Sequence, residues 1–295
     1  MPDKYQRIDF RDQIARNKLR SFFLMAVIFI VFVLLGYVIY FTFKLDFFFI
    51  MAISIIFSLS YILISYYNSD KIAIASVGAK PANRGDYKQY YSIVEGLTIA
   101  SGLPMPKLYV MPSNQINAFA SGRNPQNAVV CVTEGALSKL DKSELEGVLA
   151  HELSHVANYD IRYMTLVAVM VGMISIISEI FLRSLWYRSG GDDSKGNAIF
   201  MLLGLLLAIL APIIVYFVQM AISRKREYSA DASAVKFTRY PAGLIGALKK
   251  IKYENSGSEK KVTKAIASLF FANPFKELGS THPDINKRIE VLERM

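Results

Sequence analysis

Histidine is scarce in this chain, with three in 295 residues, and cysteine occurs once. The lone Cys131 excludes an internal disulfide, and its place in the apolar run Ala128 to Val132 marks it as a packing residue in a reducing compartment. No internal repeat and no low-complexity segment is present. Acidic residues are the minority: 24 against 34 basic ones, for a net charge of +10. That excess lacks the aromatic-interleaved basic patch of a nucleic-acid surface, so nucleic acid is excluded as a partner. The basic residues flank apolar runs instead. Lys4, Arg7, Arg11, Arg16, Lys18 and Arg20 precede the first run, and Arg224, Lys225 and Arg226 follow the last. Such clusters mark the cytoplasmic side of membrane spans and contact anionic lipid headgroups.

The runs themselves are long. Hydrophobic residues make up 53% of the chain, and the mean hydropathy is +0.30. Ser21 to Phe43 is almost wholly apolar, and Phe47 to Tyr67 repeats the pattern after a Lys44-Leu45-Asp46 break. Each reaches the roughly 20 residues that cross a hydrocarbon core. The first lacks a small-residue cleavage site, so it reads as a retained anchor rather than a signal peptide. Ala198 to Ile222 is a third strong candidate span and Tyr163 to Leu182 a weaker fourth.

Two of the three histidines lie four residues apart in His151-Glu152-Leu153-Ser154-His155. On a helix, positions i and i+4 share a face, so both imidazoles reach one metal ion. Glu152, one residue after the first histidine, can hold a metal-activated water and take its proton. The bland alternative is a chance pair of histidines with no third ligand. Local context favours the metal: Asp141 with Glu144 forms a capping box, Leu145, Val148 and Leu149 supply an apolar face, and no proline or glycine interrupts the segment from Val148 to Tyr159. A helix is predicted from near Lys142.

Around that helix the pattern is mixed. Asp86 to Ile99 reads as an amphipathic helix, and Lys107 to Met111, Asn117 to Ser121 and Ala128 to Val132 as short strands between turns. Beyond residue 223 the chain is helical, with one helix ending and another opening at Pro241, and a short amphipathic helix over Ile285 to Leu292.

A zinc site needs a third protein ligand. Glu227, 72 positions after His155, is the best candidate, and Asp231 lies one helical turn further on the same face. A carboxylate at Asp231 can accept the free N–H of a ligating histidine and fix its tautomer. The alternative for Glu227 is an exposed charge after a membrane helix. If Glu227 meets His151 and His155, the chain between them crosses the membrane an even number of times, so 163–182 and 198–222 span together or not at all. With a basic N-terminal tail inside and two crossings before residue 68, the metal segment is cytoplasmic and close to the membrane surface.

At this point the pattern resembles the M48 family of membrane zinc metalloproteases, and in length and span order its bacterial heat-shock membrane proteases. The resemblance rests on His151-Glu152-Leu153-Ser154-His155 with Asn158 and Asp160, and on Glu227-Tyr228-Ser229-Ala230-Asp231. It also rests on Asn117-Ala118-Phe119-Ala120-Ser121-Gly122 and on Thr281-His282-Pro283 followed by Arg288-Ile289. One departure is Asp284 where a second proline is expected. The resemblance implies one Zn²⁺ per chain held by His151, His155 and Glu227, with Glu152 as catalytic base. The fold expected is mainly α and integral to the membrane: a zincin-like metalloprotease domain with a small β-sheet and up to four transmembrane helices. Residues 1–68 would form a basic tail and transmembrane hairpin, and 69–295 the protease domain, interrupted by a second hydrophobic hairpin over 163–222.

Within that frame His282 is a candidate oxyanion donor and Arg288 a supporting positive charge. A helix-cap or core role is the alternative for His282, and a solvated surface position beside Lys287 and Arg294 the simpler one for Arg288. Asn117, Ala118, Phe119 and Ala120 are expected to form an edge strand that grips extended substrate through its backbone, the alternative being an ordinary half-buried strand. The function expected is an endopeptidase of misfolded or membrane-associated proteins, multi-pass in the cell membrane with its catalytic domain cytoplasmic, acting in stress response and membrane-protein quality control. A CAAX-type prenyl-protein protease is an alternative, disfavoured because those relatives carry more spans. A non-enzymatic scaffold with structural zinc is another, disfavoured by Glu152, for which a closed structural site has no use.

Overall fold

The structure, a computed structural model, describes residues 10–168, 224–254, 270–271 and 284–295. Helix α1 runs over Phe10–Phe43 and α2 over Phe47–Tyr67. The first begins eleven residues before the apolar run, because nothing between Phe10 and Ser21 breaks a helix and its Arg, Lys, Gln and Ala residues favour one. The Lys44 to Asp46 break becomes a tight turn. Lys44 takes a left-handed φ of 49°, and the Asp46 carboxylate caps α2 by accepting from Phe49 N–H at 2.7 Å. The pair packs as a hairpin, with Phe32 edge-on to Phe57 at 5.2 Å and to Tyr61 at 5.4 Å. Gly36 lets the backbones close up, since a Cβ there would collide with Ser54. The outer faces stay apolar and open: Phe41 is 74% and Phe48 81% exposed. Both helices are long and apolar enough to cross a membrane, and an exposed apolar surface of that size calls for lipid rather than water.

After the short helix α3 (Ser69–Ser76), a four-stranded sheet forms the floor of the remaining domain. It comprises β1 (Lys80–Pro81), β2 (Lys107–Met111), β3 (Ala118–Gly122) and β4 (Ala128–Thr133) in the order β1-β2-β4-β3. β2 and β4 are parallel, while β1 and β3 run antiparallel to their neighbours. The three strands predicted from sequence recur within a residue of their expected limits, and β1 is additional. Helix α4 spans Lys88–Ser101 and ends on Gly102 at φ 71°; α5 spans Glu134–Lys139.

Alternate residues of β4 face two cores, as strand geometry requires. Val130 and Val132, with Ala118 and Ala120 of β3, face the side on which the histidine-bearing helix packs. Val129 and Cys131, with Phe119, pack on the other side against Ala73, Ile74, Met164 and Phe270. Cys131 is therefore the packing residue expected of it, and burial pushes its thiol well above the ordinary range. Because both faces are covered, β4 is apolar almost throughout instead of alternating.

Helix α6 (Lys142–Ala157) carries the paired histidines. Its start is the predicted capping box: Asp141 Oδ1 accepts from Glu144 N–H at 2.9 Å, and Glu144 Oε2 accepts from Asp141 N–H at 2.9 Å. The apolar face read from Leu145, Val148 and Leu149 understates its surroundings, since every residue from Gly147 to Val156 is buried. Sheet and α4 cover one side, and α8 (Arg224–Thr238) and α9 (Pro241–Glu254) the other. In chain order α6 is followed by α7, helical over the described residues 160–168. The rest of the 163–182 run and all of the 198–222 run lie outside the described residues. The last helix is α10 (Ile285–Leu292), capped by Asp284, which accepts from Asn286 N–H at 2.7 Å. That explains Asp284 in place of a second proline: the position caps a helix.

α9 approaches α6 closely enough that two glycines touch across the interface. A Cβ on Gly147 would lie 2.6 Å from Leu244 N, and one on Gly243 would strike the Ser143 carbonyl. Gly147→Ala or Gly243→Ala should therefore separate the two helices and destabilise the fold by about 1–3 kcal/mol. Thermal unfolding of the detergent-solubilised protein checks this, and an unshifted transition in both variants would rule out the close approach.

Candidate metal centre

α6 presents His151 and His155 one turn apart on one face, and α8 lays Glu227 across from them. The two Nε2 atoms are 3.2 Å apart. Glu227 Oε2 lies 3.6 Å from His151 Nε2, and Oε1 lies 3.7 Å from His155 Nε2. All three residues are buried. Among the described residues this is the one group whose spacing suits a metal ion. Ligands about 2.0–2.1 Å from a tetrahedral ion stand roughly 3.3 Å from one another, so the observed separations fit.

The other ring nitrogens point away, each at its own carboxylate. Asp231 Oδ1 lies 2.9 Å from His151 Nδ1, and Asp160 Oδ2 lies 3.1 Å from His155 Nδ1. A proton held at each Nδ1 leaves each Nε2 lone pair free to face inward. Asp231 was expected from its spacing; Asp160 was noted only as part of the family pattern and given no task. The signal was available: a carboxylate five residues after His155, at the end of the helix. Asn158 caps α6, and Tyr159 at φ 58° turns the chain back so that Asp160 folds under His155.

Arg288 departs from the expectation most. It is buried to 1%, not on a solvated face. Its Nε donates to Asp231 Oδ2 at 2.9 Å and its Nη2 to Asp231 Oδ1 at 2.6 Å, a two-pronged pairing. Nη1 comes within 3.9 Å of Glu227 Oε2. The hydrophobic spacing of α10 turns Ile289 and Leu292 inward, and Arg288 lies on that inward side, whereas Arg294 stays exposed. The guanidinium therefore answers Asp231 rather than standing free as an oxyanion partner. His282 lies outside the described residues.

Burial and charge pull the site's titrations in opposite directions. Burial disfavours the cationic form of His151, but hydrogen bonds to Asp231 and Glu227 outweigh it and lift the imidazole to about 9. Burial would also raise Asp231, yet Arg288 and His151 hold it below the usual carboxylate range. Glu152 is raised, chiefly by burial. Four buried carboxylates (Glu152, Asp160, Glu227 and Asp231) meet two buried guanidiniums, Arg226 and Arg288. Counted as fully ionised with neutral imidazoles, the set carries two net negative charges, equal and opposite to one divalent cation.

β3 closes the site. It is an edge strand, as expected, and the small side chains of Ala118 and Ala120 let it lie against α6. The Ala120 N–H donates to the Glu152 carboxylate. Asn117 is occupied within the sheet, its Oδ1 accepting from Ala118 N–H and its carbonyl from Thr133 N–H. The outer edge is not wholly open, because Ala118 C=O accepts from Phe271 N–H at 2.8 Å. Phe271 also lies edge-on to His151 at 4.8 Å and under the Arg288 guanidinium at 4.8 Å. Phe119 is both edge-strand residue and core residue, 5.1 Å from Phe270. Nothing in the local sequence around Phe270 and Phe271 foretold this contact.

The Arg288–Asp231 pair is dry, so breaking it is expensive. Arg288→Met should cost roughly 3–5 kcal/mol of stability, because Asp231 is left buried without its cation. Denaturant titration of the full chain checks this; a loss below about 0.5 kcal/mol, the level of a surface arginine, would contradict it.

Comparison with known proteins agrees with this arrangement. The model of peptidase family M48 matches residues 86–295. A protease HtpX homolog from Thermoanaerobacter pseudethanolicus is 44% identical over 248 residues, covering 81% of this chain and 83% of that protein. One from Dictyoglomus thermophilum is 41% identical over 291 residues, covering 97% and 95%. Among solved structures, the crystal structure of S. mikatae Ste24p shares the fold with a TM-score of 0.51 at 20% identity, covering 96% of this chain and 67% of that one. A chain that brings His151, His155 and Glu227 together on two facing helices, and that matches the family model over most of its length, belongs to peptidase family M48.

Proposed function

We propose that this chain is a membrane-bound zinc endopeptidase that hydrolyses unfolded or membrane-associated proteins at the cytoplasmic face of the cell membrane. The observation that carries it is the convergence of His151, His155 and Glu227 beside a Glu152 whose carboxyl is raised by burial. Zinc suits two imidazoles and one carboxylate, and when bound it polarises a carbonyl and acidifies water. The protein's own residues do the rest. His151 and His155 offer their Nε2 atoms because Asp231 and Asp160 keep the protons on Nδ1. Glu152 takes the proton of the attacking water and returns it to the leaving amine, a task suited to a carboxyl with a raised pKa. Ala120 N–H orients that carboxylate. Arg288 holds Asp231 ionised, and so acts on His151 from behind. His282 remains the candidate donor to the oxyanion.

Substrate would bind in extended form along β3, in line with a strand that contributes backbone groups and small side chains at the cleft. Such a grip reads little sequence, which suits clearance of unfolded segments in stress response and quality control. Zinc-loaded protein is expected to cleave casein or itself in detergent. Glu152→Gln should retain one zinc and lose about 10²–10⁴-fold in rate, and chelation should abolish cleavage reversibly. Substantial cleavage by zinc-loaded Glu152→Gln would remove Glu152 from the mechanism.

We read α1 and α2 as two crossings, which return the chain to the side of the basic tail and keep the metal helix there. His155 and Glu227 face each other across one site, so the chain between them leaves and returns on one side. We take the 163–182 and 198–222 runs to span as a pair, giving four spans and a protease domain over 69–295 that they interrupt. In a Cys131→Ala background, Ser189→Cys should be labelled by an impermeant thiol reagent from outside the cell. Labelling from the cytoplasmic side alone would mean that the second pair does not cross.

A further inference from the structure

Asn17 is a polar residue near the start of an apolar membrane helix, and it is buried to 1%. A buried amide without partners costs about 1–3 kcal/mol, so its bonds explain its presence. Both hydrogens of its Nδ2 leave α1 altogether: one goes to Asn158 O at 3.1 Å, the other to Asp160 Oδ1 at 2.6 Å. The receiving loop is the turn under His155. Asp160 Oδ2 lies against His155 Nδ1 at 3.1 Å, and Arg226 Nη1 approaches Asp160 Oδ1 from α8 at 3.6 Å. The turn contains Tyr159 at φ 58°, a conformation unfavourable for a bulky residue that persists only when its surroundings hold it. α1 supplies that hold twice, through Asn17 and through Lys18, whose ammonium lies 4.6 Å over the Tyr159 ring.

We infer that Asn17 is a positioning residue of the metal centre: from the first membrane helix it fixes the Asp160 carboxylate that orients His155. The inference rests on the reading of His151, His155 and Glu227 as zinc ligands. A leucine of similar volume would serve α1 equally well if packing were the only requirement, as Leu24 does two turns further along the same helix. The amide does what leucine cannot: it stabilises the buried Asp160 carboxylate with a donated hydrogen bond and sets the angle of its second oxygen. The metal centre is therefore not self-contained in the protease domain. The bond from Asn17 to Asp160 is one of its conditions, and zinc affinity reports that bond.

The test uses the full chain in detergent or nanodiscs, with zinc affinity read by competition with a chromogenic chelator. A direct carboxylate partner of a ligating histidine is worth about 10–100-fold in metal affinity, and Asn17 acts one bond further out. Asn17→Leu should weaken zinc about three- to tenfold and shift the visible bands of the cobalt-substituted protein. Leu24→Ala, which disturbs α1 packing alone, should lower the unfolding temperature and leave both metal readouts unchanged. Asn17→Ser, which keeps one donor, should fall between wild type and Asn17→Leu, and it serves where the leucine variant fails to fold. Because Asn17 acts through Asp160, Asn17→Leu should add less than twofold in an Asp160→Asn background, whereas independent effects multiply. Wild-type zinc affinity and an unchanged cobalt spectrum in Asn17→Leu, or full multiplicativity with Asp160→Asn, would overturn the inference. Wild-type protein that takes up no zinc would remove the ligand reading and this inference with it; zinc-loaded wild type with an indifferent Asn17 removes this inference alone.

Discussion

Four carboxylates, two guanidiniums and two imidazoles lie out of water around one point, and the cost of keeping those charges dry constrains everything packed against them. No single element can supply the compensation. Asp231 is matched by Arg288 from α10, Asp160 by Asn17 and Arg226 from α1 and α8, and Glu152 by the Ala120 N–H of β3. Four separate elements, α1, α8, α10 and β3, must therefore reach α6 before the centre is electrically tolerable. The all-round burial of α6 follows from this: a helix whose polar groups are answered from several directions has no face left for solvent.

The close approaches in the fold serve the same end. Gly147 and Gly243 let α9 press on α6 from one side, and Ala118 and Ala120 let β3 press from the other. Small residues stand where backbones must come near, and the histidine helix is held rigidly between them. A metal centre built from side chains needs that rigidity, since a ligand set that relaxes loses both spacing and tautomer.

Much of this was legible in the sequence, for identifiable reasons. The spans, the capping box at Asp141 and the strands around Phe119 and Cys131 are local, and composition or spacing over a few residues specifies each. Glu227 and Asp231 were legible because helical spacing puts both on one face and the histidines needed partners. Arg288 was read as a supporting charge at the site, with a surface position as the simpler alternative because its neighbours Lys287 and Arg294 are charged; only the inward turn of Ile289 and Leu292 hints at its burial and its pairing with Asp231. Asn17 and Phe271 could not have been read at all: their partners lie 143 residues away at Asp160 and far up the chain at Ala118 and His151, and no periodicity connects them. What escaped was the reach between distant segments; what was caught was chemistry repeated at short range.

The ligands and their partners are strung out along the chain in an order that matters during synthesis. The helix with both histidines emerges first, Glu227 follows 72 residues later, and Arg288 61 residues after that. At ribosomal speeds of about 5–20 residues per second, the interval from His155 to Arg288 is on the order of ten seconds. For the first 72 residues of it the nascent hydrolase holds its base and two imidazoles but not the carboxylate opposite them, and to its end it lacks the arginine behind. The site is thus completed in steps set by chain order: the ligand set closes with Glu227, and Asp231 gains its buried cation only when Arg288 arrives.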